Sequence, residues 1–519
     1  MPVGHFLRRS ADKFPEKDAL ITADARMTYK TLNTRVNQLA NALLDAGLQK
    51  GDRITVILHN DIEFIETYFA CAKSGGVFVP VNNLLKEREM RQILEYIQPR
   101  FLIVHPDFED VARRLAKDMP FLEFPYLVQE QPEAPFSSYE ALVQGGAPHE
   151  PRVQVTDDDL MSIFLTSGTT GRPKGAMRSH RQDVMNAVTG AIEMKLGYDD
   201  RAVILFPVYH VTFEDQIRYF LMGNTVYLRR EGAFDPKEVL EILSREKITI
   251  CQFVPTMVSA MLQEEGIERY DLSSLRLIPY AAAPMPVELL KRAMARFQCG
   301  FAQFYGQTET GPLTTLLRPE DHILDGTEEQ VARLASSGRP VLDYEVRIVR
   351  EDGGDVAVDE VGEILVRSEA AMDGYWDLPK ETAETLRDGW IHTGDFGRFD
   401  AAGYIYIVDR KNDMIISGGK NIYPRELEEV IYTHPAVLDV AVIGVPDDYW
   451  GEAVKAIVVL REGMEATEEE IIALCKENLA SYKKPKSVEF RKELPRTTTG
   501  KIRKKDIREE YWKGKDRKV

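Results

Sequence analysis

Two stretches of the chain alternate short apolar strands with amphipathic helices, and this rhythm restricts the possible folds more than any other feature. In the first, Thr28 stands at a helix N-cap position ahead of an apolar face of Leu32, Val36, Leu39 and Leu43, with Gly47 as the stop. Residues 53–58 (RITVIL) then read as a strand, 62–72 as a helix and 77–81 as a short buried strand. The rhythm returns further on, with strands expected at 202–206, 225–228, 249–253 and 275–279 and helices at 214–222, 236–246 and 256–264. Repeated strand–helix–strand units predict a mostly parallel sheet covered by helices.

From about 335 to 408 the character changes. Short strand patterns at 344–349, 362–367 and 404–408 are separated by Gly- and Asp-rich turns, which predicts a small β subdomain. After Arg410 comes a compact α+β unit. It has a helix at 424–433, strands at 437–445 and 453–460, and a helix opening on the capping box Thr467-x-x-Glu470. A chain of 519 residues is too long for one core. The expected fold class is therefore α/β multidomain. A large N-terminal domain over 1–409 holds two α/β subdomains and the small β subdomain, and a mobile α+β domain over 410–519 follows. The short charged segment 409–413 reads as a hinge.

The net charge of −17 argues against a nucleic acid or an anionic membrane as the main partner, although the basic stretch 501–518 could hold an anionic ligand. Cys71, Cys251, Cys299 and Cys475 show no metal or redox spacing and read as buried reduced thiols. The start of the chain carries Asp12 and Glu16 and no apolar h-region, so neither a signal nor a transit peptide is expected. No apolar run reaches membrane-spanning length. The expectation is a cytoplasmic monomer or homodimer.

Residues 166–175 (TSGTTGRPKG) follow an apolar strand at 160–165 and concentrate three glycines, three threonines, a serine, an arginine and a lysine. Glycines let backbone N–H groups approach an anion, hydroxyls donate to its oxygens and Lys174 adds charge, so the loop is built for phosphate. It is not the common P-loop, because Lys174 follows Pro173 and precedes Gly175 instead of Ser or Thr. Nor is it a dinucleotide fingerprint.

At this loop the sequence resembles the acyl-adenylate-forming superfamily: acyl-CoA synthetases, adenylation domains of peptide synthetases and beetle luciferases. The resemblance spans nearly the whole chain. Phe206-Pro-Val-Tyr-His210, Phe304-Tyr-Gly-Gln-Thr-Glu-Thr-Gly311, Gly362-Glu363, Thr393-Gly-Asp-Phe-Gly397, Asp409-Arg410, Ser417-Gly-Gly-Lys-Asn421 and Pro495-Arg-Thr-Thr-Thr-Gly-Lys501 follow in the family's order. It implies an AMP-forming acyl-CoA synthetase that uses ATP, Mg²⁺ and coenzyme A. The carboxylate attacks the α-phosphate to give acyl-AMP and pyrophosphate. The C-terminal domain then rotates, and the CoA thiol displaces AMP.

The resemblance also implies roles for individual residues. Lys501 is the catalytic lysine, bridging two mutually repelling anions. Glu309 is the magnesium ligand, a hard oxygen donor of the kind Mg²⁺ prefers, with Thr166 beside it. Ser167, Gly168, Thr169, Thr170, Gly171, Lys174 and Thr308 face the phosphates. Tyr305 stacks on adenine, flanked by Gly306 and Gln307, and Ala282, Ala283 and Pro284 stand where the family has a Gly-rich loop. Asp395 accepts the ribose hydroxyls and Arg410 adds a second ribose and phosphate contact. Ser417, Gly418, Gly419, Lys420 and Trp450 flank the pantetheine tunnel. Asn412 takes the hinge position, where the family commonly has Asp or Lys. His210 is the gate beside the acyl carboxylate, and Val211, Phe253, Ala282, Ala283 and Gly306 line the acyl pocket. The bulk after His210 points to a small, medium-chain or cyclic hydrophobic acid. With no cationic residue evident there, a dicarboxylate or an amino acid is disfavoured.

Overall fold

Thr28 caps its helix as expected: its side chain accepts from the Thr31 N–H at 3.2 Å, and the helix runs Tyr29–Asp45. In the computed structural model, residues 1–166, 173–281, 285–410, 413–417, 420–447, 449–496 and 502–513 are described, without the side chains of Arg410 and Asn421. Two large sheets dominate. One has nine strands, in spatial order Arg339–Pro340, Gly311–Leu317, Gly300–Gln307, Leu277–Tyr280, Ile250–Cys251, Arg201–Ile204, Thr225–Leu228, Asp18–Ile21 and Arg26–Thr28. Its middle is parallel and its edges are closed by antiparallel partners. The other has eight strands, in order Gly374–Tyr375, Lys174–Ser179, Leu160–Thr166, Val77–Pro80, Arg53–Ile57, Phe101–Val104, Phe124–Leu127 and Ser137–Ser138.

The layers follow from strand alternation and right-handed crossovers. Helices Gly4–Lys13, Tyr29–Asp45, Ile62–Ser74, His180–Glu193 and Thr212–Met222 lie between the two sheets and share one core with the inner faces of both. Helices Pro236–Arg245, Pro255–Gln263 and Val287–Phe297 cover the outer face of the nine-stranded sheet. Glu87–Ile97 and Glu109–Lys117 cover the outer face of the other. Most of the expected strands and helices of both stretches appear within two residues of their expected ends. The strand expected at 249–253 pairs regularly only over Ile250–Cys251, with Phe253 adding a single bridge to Tyr280.

A smaller antiparallel sheet holds Glu345–Val349, Gly362–Arg367, Trp390–Phe399, Leu386–Arg387 and Ile405–Arg410. Its long central strand, Trp390–Phe399, was not expected from hydropathy. His392, Thr393, Gly394 and Asp395 interrupt any apolar alternation there. The fourth sheet joins Lys420–Ile422, Ile415–Ser417, Gly451–Leu460, Val437–Asp447 and Ser487–Arg491 under helices Pro424–Tyr432, Glu468–Asn478 and Lys504–Trp512. Its two hydrophobic clusters use only residues after 414, so it has a core of its own. The Thr467–Glu470 capping box is formed as read. Arg425 holds the incoming chain, with its backbone N–H donating to Asp409 at 3.2 Å and its guanidinium to the Ile407 carbonyl at 2.6 Å.

All four cysteines are free thiols; Cys71, Cys251 and Cys475 are buried as expected, whereas Cys299 is only half-buried. Burial pushes Cys299 up to about 12 and Cys475 up to about 11. Among the described residues, no helix is long and apolar enough to cross a membrane.

Candidate active site

The hairpin between Gly300–Gln307 and Gly311–Leu317 brings Tyr305, Gly306, Gln307, Thr308 and Glu309 to the carboxyl ends of the parallel strands, where open α/β sheets bind ligands. Two glycines make the hairpin possible. Gly311 sits at φ +89°, and a Cβ on Gly306 would meet the Gly311 and Pro312 carbonyl oxygens at 2.4 Å. The Gln307 N–H donates to Thr310 Oγ1 at 3.0 Å and fixes the turn.

Asp395 comes to this hairpin from the small sheet. It is 3% exposed, and its Oδ2 accepts from Tyr305 Oη at 2.7 Å and from Gln307 Nε2 at 2.6 Å. Thr393 orients the same strand, accepting from the Asp395 N–H at 3.0 Å and donating to the Ile364 carbonyl at 2.7 Å. Arg410 lies opposite Asp395 in the strand register.

Glu309 is tied to the phosphate-loop strands. Tyr375 Oη donates to its Oε1 at 2.9 Å, and the Met372 N–H donates to its carbonyl at 2.9 Å. Burial, with the Glu309 charge second, pushes the Tyr375 phenol far up, so it stays a donor. Lys174 Nζ stands 4.8 Å from the centre of the Tyr375 ring. The Tyr375 backbone pairs with Ala176, and the Trp376 N–H donates to the Gly175 carbonyl at 2.8 Å. Thr166 lies opposite Lys174 at the loop base, its Oγ1 donating to the Lys174 carbonyl at 3.4 Å. Thr166 and Glu309 thus offer a hydroxyl and a carboxylate beside a lysine. This hard-oxygen set fits a Mg²⁺–phosphate group. Tyr375 was missed in the sequence, where nothing marks a lone aromatic about 65 residues downstream as a partner of Glu309.

On the acyl side, His210 precedes helix Thr212–Met222, and its Nδ1 accepts from the Thr212 N–H at 3.3 Å. Val211 is 8% exposed and belongs to the core between the sheets. Phe253, expected to line the same pocket, is fully buried in the outer core with Tyr280. Neighbouring strand side chains point to opposite faces, so it is Gln252 that faces the His210 helix, accepting from Gln216 Nε2 at 2.9 Å.

Behind that helix lies a sealed ionic group. Arg178 Nε is 3.0 Å from Asp183 Oδ1 and 2.6 Å from Glu214 Oε2, and all three side chains are fully buried. Tyr68 Oη donates to Asp183 at 3.0 Å, and Arg178 also donates to the Ala370 carbonyl at 3.1 Å. Burial pushes the Glu214 carboxyl well above its ordinary range against the pull of Arg178.

In the C-terminal unit, Ser417 lies opposite both Lys420 and Gly451 in the strand register. Trp450 is 41% exposed, its N–H donating to Asp447 at 2.8 Å, and Lys486 Nζ stands 5.2 Å from its ring. Ser417, Lys420 and Trp450 therefore share one neighbourhood. Lys501, Ser167, Gly168, Thr169, Thr170, Gly171, Ala282, Ala283, Pro284, Asn412, Gly418, Gly419 and the Arg410 side chain lie outside the described residues.

The AMP-binding enzyme family model matches residues 7–376. The chain belongs to the AMP-binding enzyme family. The model of that family's C-terminal domain matches residues 426–501. A feruloyl-CoA synthase of Amycolatopsis sp is 37% identical, covering 98% of this chain and 99% of the relative. The long-chain-fatty-acid–CoA ligase FadD13 of Mycobacterium tuberculosis is 34% identical, covering 98% of each. Among solved structures, the anthranilate CoA ligase AuaEII in complex with anthranoyl-AMP superposes with a TM-score of 0.90 at 30% identity, over 98% of this chain and 97% of that one. The chain is an AMP-forming carboxylate–CoA ligase, with a carboxylic acid, ATP, Mg²⁺ and coenzyme A as its reaction partners.

Proposed function

We propose that this ligase activates a small, medium-chain or cyclic hydrophobic acid in the cytoplasm, with its roles divided among the residues above. The observation that carries the division is the hairpin 304–311. It presents Tyr305 and Gln307 to Asp395 on one side and Glu309 to Tyr375 and the phosphate-loop strands on the other. Asp395, held by Tyr305 and Gln307, accepts the ribose hydroxyls, with Arg410 beside it. Tyr305 and Gly306 bound the adenine. Lys174 and the hydroxyls of 166–170 hold the phosphates. Glu309 and Thr166 would hold Mg²⁺, which when bound neutralises phosphate charge. Lys501 draws the carboxylate and the α-phosphate together, so that the carboxylate oxygen attacks phosphorus and pyrophosphate leaves.

Residues 1–409 and 410–519 act as two domains, and rotation about 409–413 brings Ser417, Lys420 and Trp450 to the pantetheine arm. The thiol sulfur then attacks the acyl carbon, AMP leaves and the thiol proton passes to solvent. The bulk of Val211 next to His210 supports a short or ring-shaped acyl group over a long straight chain. AMP release across a panel of acids tests this, and best turnover with long-chain acids would refute the substrate class.

A further inference from the structure

We infer that the acyl site ends in a hydrogen-bonding pair, Gln216 with Gln252, and that the acid carries a matching polar group at the end remote from its carboxylate. The inference rests on the acyl side proposed above and names the substrate class more closely.

Both glutamines are 4% exposed. Gln216 Nε2 donates to Gln252 Oε1 at 2.9 Å and lies 3.5 Å from Asp215 Oδ2. Among the described residues, nothing pairs with Gln252 Nε2 or Gln216 Oε1, so one donor and one acceptor are left over. A ligand that displaces water from such groups without matching them would lose about 1–3 kcal/mol each, so an occupant of this end should supply a polar partner. Neither atom is among the sealed polar atoms of the interior that lack a partner, so both reach accessible space.

The strand register shows where that space lies. Phe253 is level with Tyr280, and Tyr280 with Gln303, so Gln252 is level with Pro279 and Ala302. On the face turned toward the His210 helix, the next positions toward the strand ends are Ala281 and Phe304. Ala281 puts a small side chain above the glutamines on that face, and His210 stands just ahead of the helix that carries Gln216. Gln216 lies six residues beyond His210. The helix begins at Thr212, so at 1.5 Å per residue the polar end lies about 6 Å along it, with His210 and Val211 adding to that depth. A ring on a two-carbon spacer, or a chain of comparable length, carries a terminal hydroxyl, oxo or amino group to that depth. The two free positions, one donor and one acceptor, suit a hydroxyl, which is both.

The test is AMP release with ATP and CoA for two acid pairs: 3-phenylpropanoate with 3-(4-hydroxyphenyl)propanoate, and heptanoate with 7-hydroxyheptanoate. The expected result is a kcat/KM at least ~10-fold higher for the hydroxylated member of one pair. In Gln216→Leu/Gln252→Leu this preference should fall to within about 2-fold by loss on the hydroxylated acid, with KM for ATP unchanged. The single variant Gln252→Met should lower it in the same direction if the double variant does not fold. Equal use of both members by the unmodified ligase, or a preference that survives the substitutions, overturns the inference and leaves the proposed function standing. Failure of all four acids, with turnover of some other class, overturns both.

Discussion

Replacing Arg178 with Met removes one cation from a site that holds two sealed carboxylates. Asp183 and Glu214 are both fully buried against it, at 3.0 and 2.6 Å. With one cation between two acids, burial raises both carboxyls, but Arg178 and the Tyr68 hydroxyl pull Asp183 back, so Glu214 is the first to take a proton. Without Arg178, Asp183 must be protonated as well. Protonating at pH 7 a carboxyl that titrates near 3.9 in the unfolded chain costs at most about three units, or ~4 kcal/mol, and the loss here is smaller by whatever burial already raises Asp183 in the intact group. This agrees with the ~3–5 kcal/mol found when one partner of a buried pair is removed. The sign with pH is fixed. The variant's Asp183 value is raised above its unfolded value, so the penalty is absent below the unfolded value and grows as pH rises. The gap between Arg178→Met and the unmodified chain should therefore be up to ~4 kcal/mol at pH 7 and should shrink by pH 5.5, by urea unfolding. Asp183→Asn added to Arg178→Met should recover most of it. A gap below ~1 kcal/mol at pH 7, or one that does not shrink on acidification, refutes the reasoning.

Further outcomes follow from the same geometry. Tyr305→Phe removes a donor from Asp395 and should raise KM for ATP by ~10-fold with little change in KM for the acid; an unchanged KM for ATP would detach Tyr305 from the nucleotide. Tyr375→Phe should raise the Mg²⁺ concentration needed for half-maximal AMP release several-fold, and an unshifted magnesium curve would separate Glu309 from the metal. Burial holds His180 and His322 at about 4, below their ordinary value, so both stay neutral in the fold. Their stabilising effect is present above pH 6.5 and is lost as pH falls toward 4, about 2 kcal/mol each between pH 7 and pH 5. His322→Gln should flatten that fall in urea unfolding, and an unaltered difference would contradict it.

The layered fold was readable because periodicity follows burial. The Leu32–Val36–Leu39–Leu43 stripe faces one core, and the apolar run at 53–58 alternates between two, with Ile54, Val56 and Leu58 in the core between the sheets and Ile57 in the outer one. Strand Trp390–Phe399 was not readable, because its polar residues serve Asp395 and the strand gets its place from pairing with Gly362–Arg367 and Ile405–Arg410. The motif residues of the site were visible as local signatures, but their supports were not. Tyr375, Arg178 and Gln252 reach their partners only through tertiary pairing. Phe253 and Gln252 show the limit most plainly. The run at 249–253 is apolar enough to read as a strand, yet which neighbour faces the acyl side depends on which face of the sheet carries the His210 helix.

The most direct test of the account is to separate the two half-reactions in Lys501→Ala. Acid-dependent pyrophosphate release should fall by at least ~10²–10³-fold, while acyl-CoA formation from preformed acyl-AMP should change far less. Equal damage to both steps, or acid-dependent pyrophosphate release at the unmodified rate, would contradict it.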